Sequence, residues 1–183
     1  MAVIANRHGE FLDRGGRVFG VSADTPEMNA AIVDKLALPF PILSDADREK
    51  AITPLGFADE KHPDNIARTG SLIVSPAGEV VFTYLGRDYA DRPQEEVLLH
   101  ALGALDQPPT SQEPPEIGAI EPGPRAVPLP GIGPYFRGAK FATLALRSRY
   151  RDLGDVFADD TKQYVEMVER YLAALPGVEA RRA

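Results

Sequence analysis

Residues 69–86, TGSLIVSPAGEVVFTYLG, constrain the chain more than any other stretch. Leu72, Ile73 and Val74 form a short apolar run, and residues 80–85 form a second one of β-branched and aromatic side chains. Between them Ser75-Pro76-Ala77-Gly78 reads as a turn. Pro76 presets φ at the first central position, and Gly78 is free to take φ > 0 and bulge the next strand. Val80, Phe82 and Tyr84 point one way and Val81, Thr83 and Leu85 the other, so both faces are largely apolar. Such a hairpin needs cover on both sides, which predicts a sheet flanked by helices.

The segments around it alternate in type. Residues 2–14 are predicted as one helix, with Val3, Ile4, Phe11 and Leu12 on one side and Gly15-Gly16 ending it. RVFGVSA, residues 17–23, reads as a strand. Asp24-Thr25-Pro26-Glu27 starts a helix with a capping side chain, a first-turn proline and an early carboxylate; Met28, Ile32, Val33 and Leu36 are its expected apolar face. Phe40-Pro41-Ile42-Leu43 is a proline-limited strand suited to a sheet edge. Ser44-Asp45 is expected to cap a short helix reaching Ile52, and residues 56–68 are a polar loop. After the hairpin, residues 87–92 form a charged loop, and Pro93 opens a helix with Val97, Leu98, Ala101, Leu102 and Leu105 inward. The order is α-β-α-β-α-β-β-α, an α/β pattern with an antiparallel end.

Past residue 105 the composition changes. Nine of the 17 prolines fall within residues 106–134, a density that blocks helices and ladders and favours an extended linker, or a strap over the domain. Residues 135–150 and 158–175 read as two helices, the second marked by Tyr164, Val168, Tyr171 and Leu175 at helical spacing. The predicted domains are thus 1–105, a Pro-rich linker or strap at 106–134, and a C-terminal helical pair at 135–183. Two helices alone bury little, so the pair should dock on the first domain or on a partner.

Composition removes several function classes. A net charge of −7 with a pI near 5.0 argues against nucleic acid or an anionic membrane as partner. No run approaches the 18 or so apolar residues of a membrane span. The N-terminal stretch lacks the long apolar region of a signal peptide, so a cytoplasmic location is expected. There is no cysteine, which excludes disulfides, thiolate nucleophiles and Cys-bound zinc within these residues. His8, His62 and His100 show no metal-ligand spacing. Asp45-Ala46-Asp47 lacks the glycine and glutamate that a calcium loop requires and reads as a helix cap. Gly15-Gly16 is no phosphate cradle, because it follows a helix and lacks the G-x-G-x-x-G pattern. Arg147, Arg149 and Arg151 suit a helix C-terminus, and PRAVPLP around Pro128 reads as linker rather than polyproline ligand. No cofactor and no metal are expected.

Taken together, RVFGVSADTPE, LPFPILSDADREKA and SLIVSPAGEVVFTYLGR resemble the peroxiredoxin group, the alkyl hydroperoxide reductase/thiol-specific antioxidant (redoxin) family of the thioredoxin-like superfold. The resemblance runs from about Phe11 to Leu105. It implies a thioredoxin-like sheet flanked by helices and an antioxidant thiol peroxidase, in which a peroxidatic cysteine attacks a peroxide, becomes a sulfenic acid and is recycled by a second thiol. In that family the cysteine opens the helix that here starts near Ala2, after a strand; both would fall before Met1, so the domain reads as N-terminally truncated. The family also stabilises its thiolate with an arginine just before the first hairpin strand. The matching position is Thr69, which leaves Arg68, one place away, and Arg87 as candidate vestiges.

Two readings follow. Either the chain is an incomplete redoxin, needing an upstream cysteine and a thiol reductant to act, or it is a catalytically inactive relative serving as a binding module. In the second case its C-terminal helices and Pro-rich strap would engage a protein partner or form a homodimer. The family's strand order also carries an expectation for the sheet. With the middle strand missing, the strands at residues 17–23 and 70–74 should pair directly, or the strap or a second chain should fill the slot.

Overall fold

The computed structural model describes residues 1–60, 62, 66–89 and 91–183, and they form two compact units, one built on residues 3–123 and the other on residues 124–183. The first is mixed α/β. It runs α1 (Ala2–Asn6), α2 (His8–Leu12), β1 (Gly20–Ser22), α3 (Pro26–Leu36), β2 (Ile42–Ser44), β3 (Gly70–Val74), β4 (Val80–Leu85) and α4 (Glu95–Gly103). The single N-terminal helix expected is two: Arg7, at φ −109° and ψ 14°, leaves helical geometry between them. Its guanidinium holds Glu10 through Nε to Oε1 at 2.7 Å and also pairs with Glu96 of α4.

β1 pairs in parallel with β2, Gly20 opposite Ile42 and Ser22 opposite Ser44. β3 and β4 form the antiparallel hairpin, Gly70 opposite Leu85 and Ile73 opposite Phe82. Its turn is as the sequence implies. The Gly78 N–H donates to the Ser75 C=O at 2.9 Å with Pro76 next in line, Gly78 takes φ 85°, and the register shifts beside Val74. The two pairs remain separate two-stranded sheets, so the expected direct pairing of the first and third strands does not form.

Two apolar clusters sit beneath these sheets. Ala5, Val33, Leu38 and Phe40 make one; Phe11, Leu98, Leu99 and Leu102 make the other, reached from the hairpin by Ile73 and Phe82. Ile4 and Val18 touch both clusters and so join them. Each of the valine, leucine and phenylalanine side chains, fully buried, contributes roughly 1.5–3 kcal/mol. The opposite faces carry Val21 and Leu43 on one sheet, with Phe19 just before it, and Val81 and Leu85 on the other, all exposed. Cover on both sides, expected from the hairpin's composition, is therefore present on one side only.

Several helical and strand details shift. α3 has its predicted start, with Thr25 Oγ1 accepting from the Met28 N–H, but Met28 and Ile32 are exposed while Asn29, Ala31 and Val33 are buried. In α4 Leu99 takes the inward place expected of Val97. No helix follows Asp45. Its carboxylate instead accepts three backbone N–H groups, from Lys50 at 3.1 Å, Ala51 at 2.9 Å and Ile52 at 2.8 Å, and winds the segment into turns. Of the polar loop at 56–68, residues 61 and 63–65 lie outside the described residues, and Ala58 bridges Ala67 at its neck.

Residues 106–123 belong to the first unit and contain no helix or strand. The Thr110 N–H donates to the Leu12 C=O at 2.9 Å, and Gln112 reaches Val18. The second unit is a helical hairpin: α5 (Leu129–Arg149), a 3₁₀ turn (Arg151–Leu153) and α6 (Asp155–Arg182). Both helices are longer than predicted. α5 starts six residues before the expected Tyr135, since Pro130 sits in the first turn where N–H groups lack partners anyway, and Pro134 costs one bond just beyond. α6 runs on past Pro176 to bury Val178. Phe136 meets Tyr171 edge-on at 5.3 Å, and Lys140 Nζ pairs with Glu169 at 2.6 Å, fixing one face of α5 against α6.

Candidate functional site

The base of the β3–β4 hairpin brings together Arg68 and Arg87, the two candidate vestiges of the thiolate-stabilising arginine. The strands end in a ladder closed by the Gly86 N–H donating to the Thr69 C=O at 2.8 Å, which puts the neighbours Arg68 and Arg87 at the same end. Neither guanidinium is idle. Arg68 Nη2 donates to the Gly86 C=O at 2.9 Å, and Arg87 Nε lies 3.1 Å from Asp91 Oδ2. Asp91 also accepts the Arg87 N–H at 2.9 Å and the Tyr84 hydroxyl. Burial pushes the Asp91 carboxyl upward, but Tyr84 and Arg87 outweigh it and hold the group below its ordinary range; the same bond raises the Tyr84 hydroxyl. These contacts hold the loop shut against the hairpin, and both candidate vestiges belong to that scaffold.

The loop continues through Arg92 into α4, where Glu95 is buried. Arg92 and Glu95 both act on the start of α1. Burial, then the Arg92 cation, lower the Met1 amine to about 6, with Glu95 opposing. Arg92 is thus a cation beside the first helix that the sequence gives no reason to prefer over Arg68 or Arg87. Its placement depends on how the loop folds back, a non-local fact.

Elsewhere the candidate residues stay apart. His8 is buried against Phe40, ring centroids 5.8 Å apart, with Nε2 3.0 Å from Gln112 Oε1; His62 and His100 are exposed. Among the described residues no three His, Asp or Glu side chains are placed to hold a metal ion. A cleft between α3, β2 and the strap is lined by Ala30, Val33, Ile42, Pro115 and Ile117, together with Glu27 and Glu116. It has apolar walls but no converging set of acid, base and nucleophile.

One sequence family matches the N-terminal part of the chain. The sequence profile of the AhpC/TSA family matches residues 1–83. Residues 1–83 are an AhpC/TSA-family domain. A solved structure of Mycobacterium tuberculosis AhpC is similar to this chain at 27% sequence identity and a TM-score of 0.49, over 57% of this chain and 60% of that one. The chain thus spans less than two thirds of that relative's length. No curated protein matches it. The AhpC/TSA segment takes in α1 to α3, both parallel strands, β3 and most of β4, and stops short of Arg87 and Arg92. The thiol chemistry that the resemblance implies has no sulfhydryl in these 183 residues. No helix among the described residues is long and apolar enough to cross a membrane.

Proposed function

We propose that this chain is an AhpC/TSA-family protein that acts by binding rather than by thiol peroxidase chemistry. The observation that carries the reading is the absence of any cysteine alongside a folded family domain. Peroxide reduction in this chemistry begins with a thiolate attacking the O–O bond. The sulfur atoms present are those of three methionines, whose sulfoxides require separate reductases. The ionic contacts around Arg68, Arg87 and Asp91 support the same view, since these groups brace a loop. In this reading β1–β2 and β3–β4 are the two outer pairs of a thioredoxin-like sheet kept as a scaffold, and the C-terminal helices carry the binding surface. The protein works in the cytoplasm with a protein partner and without nucleic acid, membrane or thiol reductant.

The test is direct. The purified 183-residue chain, supplied with hydrogen peroxide and either dithiothreitol or thioredoxin, should consume no peroxide above the reductant-only blank. Turnover above that blank overturns the reading.

A further inference from the structure

Met28 stands apart from the other two methionines. It is 41% exposed in the first turn of α3, whereas Met167 is 6% exposed and Met1 packs against the first apolar cluster. Its neighbour is the far end of the strap. A Cβ built at Gly123 would lie 3.6 Å from the Met28 Cε methyl, with no other described atom within 4 Å beyond the adjoining residues. Gly123 is in turn the one residue of 116–128 that is not exposed, and it ends the first unit. Upstream, Pro115 and Ile117 border Ala30 and Val33 of the same helix along the cleft. Among the described residues, 113–126 make no hydrogen bond or ion pair. The distal strap therefore rests on α3 through apolar contact, and at its last tether that contact is the methyl of a solvent-reachable thioether.

We propose that Met28 is a site of reversible oxidation by hydroperoxides, and that its sulfoxide releases the distal strap from α3. In the reaction the sulfur lone pair attacks one oxygen of the peroxide. The S–O bond forms as the O–O bond breaks, and the sulfur gives up an electron pair to the peroxide. Water, or the alcohol of an organic hydroperoxide, leaves once the proton has moved to it. One peroxide is consumed at Met28 and the reaction then stops, so this is not turnover. The product is a polar, chiral side chain where an apolar one stood. Its oxygen takes hydrogen bonds from water, so the oxidised side chain is stabilised by leaving Gly123. No polar contact within residues 113–126 then holds the strap in place. Burial of Met167 and packing of Met1 direct the oxidant to Met28.

Tryptic cleavage after Arg125 reads this contact. Trypsin must take up residues on both sides of the Arg125–Ala126 bond in extended form, and Gly123 lies just before Arg125. The native full chain treated with hydrogen peroxide, quenched and then fully digested, should gain one oxygen first on peptide 18–35, which carries Met28. Peptides 1–7 and 163–170, which carry Met1 and Met167, should follow later. In brief native digestion, chain oxidised at Met28 should be cut after Arg125 about fourfold faster, the factor carried by one methylene-sized apolar contact. Methionine sulfoxide reductase with dithiothreitol should restore the slow cut. Met28→Leu, close in volume and free of sulfur, should keep the slow rate after peroxide, and Met28→Gln should show the fast rate before it. The wild-type measurements stand even if a variant misfolds. Oxidation of Met1 or Met167 ahead of Met28, a cut rate unchanged by the sulfoxide, or a Met28→Leu chain still accelerated by peroxide overturns the proposal. Failure here is distinct from failure of the functional reading, which is decided by peroxide turnover with a thiol reductant.

Discussion

Gln112 does with a side chain what a neighbouring strand does with its backbone. Its Oε1 accepts the Val18 N–H at 2.8 Å and its Nε2 donates to the Val18 C=O at 2.6 Å. The need for it is local. Continuing the β1–β2 register two residues back sets Val18 opposite Phe40, and the donor to Val18 C=O would then be residue 41, a proline with no N–H. Because Oε1 can only accept, the His8 ring nitrogen 3.0 Å away must carry a proton, and the strap, α2 and the lead into β1 share one network. Gln112→Ala should cost about 1–3 kcal/mol for each Val18 group left buried without a partner, read from a urea melt. Gln112→Glu, which keeps the acceptor and loses the donor, should fall between. A loss under about 0.5 kcal/mol would mean that water replaces the amide. Asp45 is the second residue on which a whole segment turns. The Ile52 N–H chiefly, with Ala51 and Lys50, holds its carboxyl at about 2, below the ordinary 3.8, against the opposing effect of burial. A folded-state value below the unfolded one means stability that is fully present above about pH 4 and lost as pH falls toward 2. The drop in Tm over that range should be shallower in Asp45→Asn than in the wild type; parallel curves would show that the carboxylate contributes nothing there.

Among the elements, the hairpin was the most legible, because its signals are contained within it. Pro76 and Gly78 dictate the turn, and alternation dictates which of Ile73, Phe82 and Tyr84 share a face. α3 was legible at its start for the same reason: Thr25 caps it with its own side chain. What fails is the choice of buried arc. Met28 and Ile32 lie on α3 and Val97 on α4 at spacings as good as those of Ala31 or Leu99, and only the neighbouring elements decide which arc is covered. Asp45 shows the converse: its capping side chain is legible in the sequence, but its three N–H partners close turns rather than a helix. At the candidate site, the closeness of Arg68 and Arg87 follows from the hairpin alone, whereas Arg92 and Gln112 act on residues more than ninety positions away. Gly86 offers an element-scale test. It is buried at the hairpin base, and a Cβ there would press onto the carbonyl oxygens of Asp91 and Thr69, backbone atoms that cannot swing aside. Gly86→Ala should destabilise by about 1–3 kcal/mol and loosen the Arg68 anchor. At Gly16 the three nearest atoms to an added Cβ all belong to the Leu102 side chain, which can give where backbone cannot, so its cost should be the smaller of the two. The reverse order in denaturant melts would contradict this account of the base.

At the scale of the whole chain, the division into two units bears on where the backbone is open to attack. Their boundary falls at Gly123 and Pro124, inside the Pro-rich stretch. Upstream the strap is tied down by Thr110 and Gln112, and downstream α5 begins at Leu129. Between these anchors residues 116–128 are exposed except for Gly123, and none lies in a helix or strand. A protease needs several consecutive residues in extended form, which a helix or ladder denies until it opens locally. Arg125 is the one trypsin site in that window, followed by Ala126 rather than by a proline that would block the cut. Arg17 and Lys50 are also exposed outside helices and strands, but their segments are tied down, the first by Gln112 on Val18 and the second by the Asp45 carboxylate on the Lys50 N–H. Arg147, Arg149, Lys162 and Arg182 lie within α5 and α6, and Arg87 is tied to Asp91. Brief trypsin treatment of the native chain should therefore cleave first after Arg125, giving fragments 1–125 and 126–183 by mass spectrometry. Arg125→Gln should slow the first cut without changing the melt, since an exposed residue in an open segment contributes little to stability. A first cut inside α5 or α6 would show the helical hairpin to be less stable than the strap that precedes it.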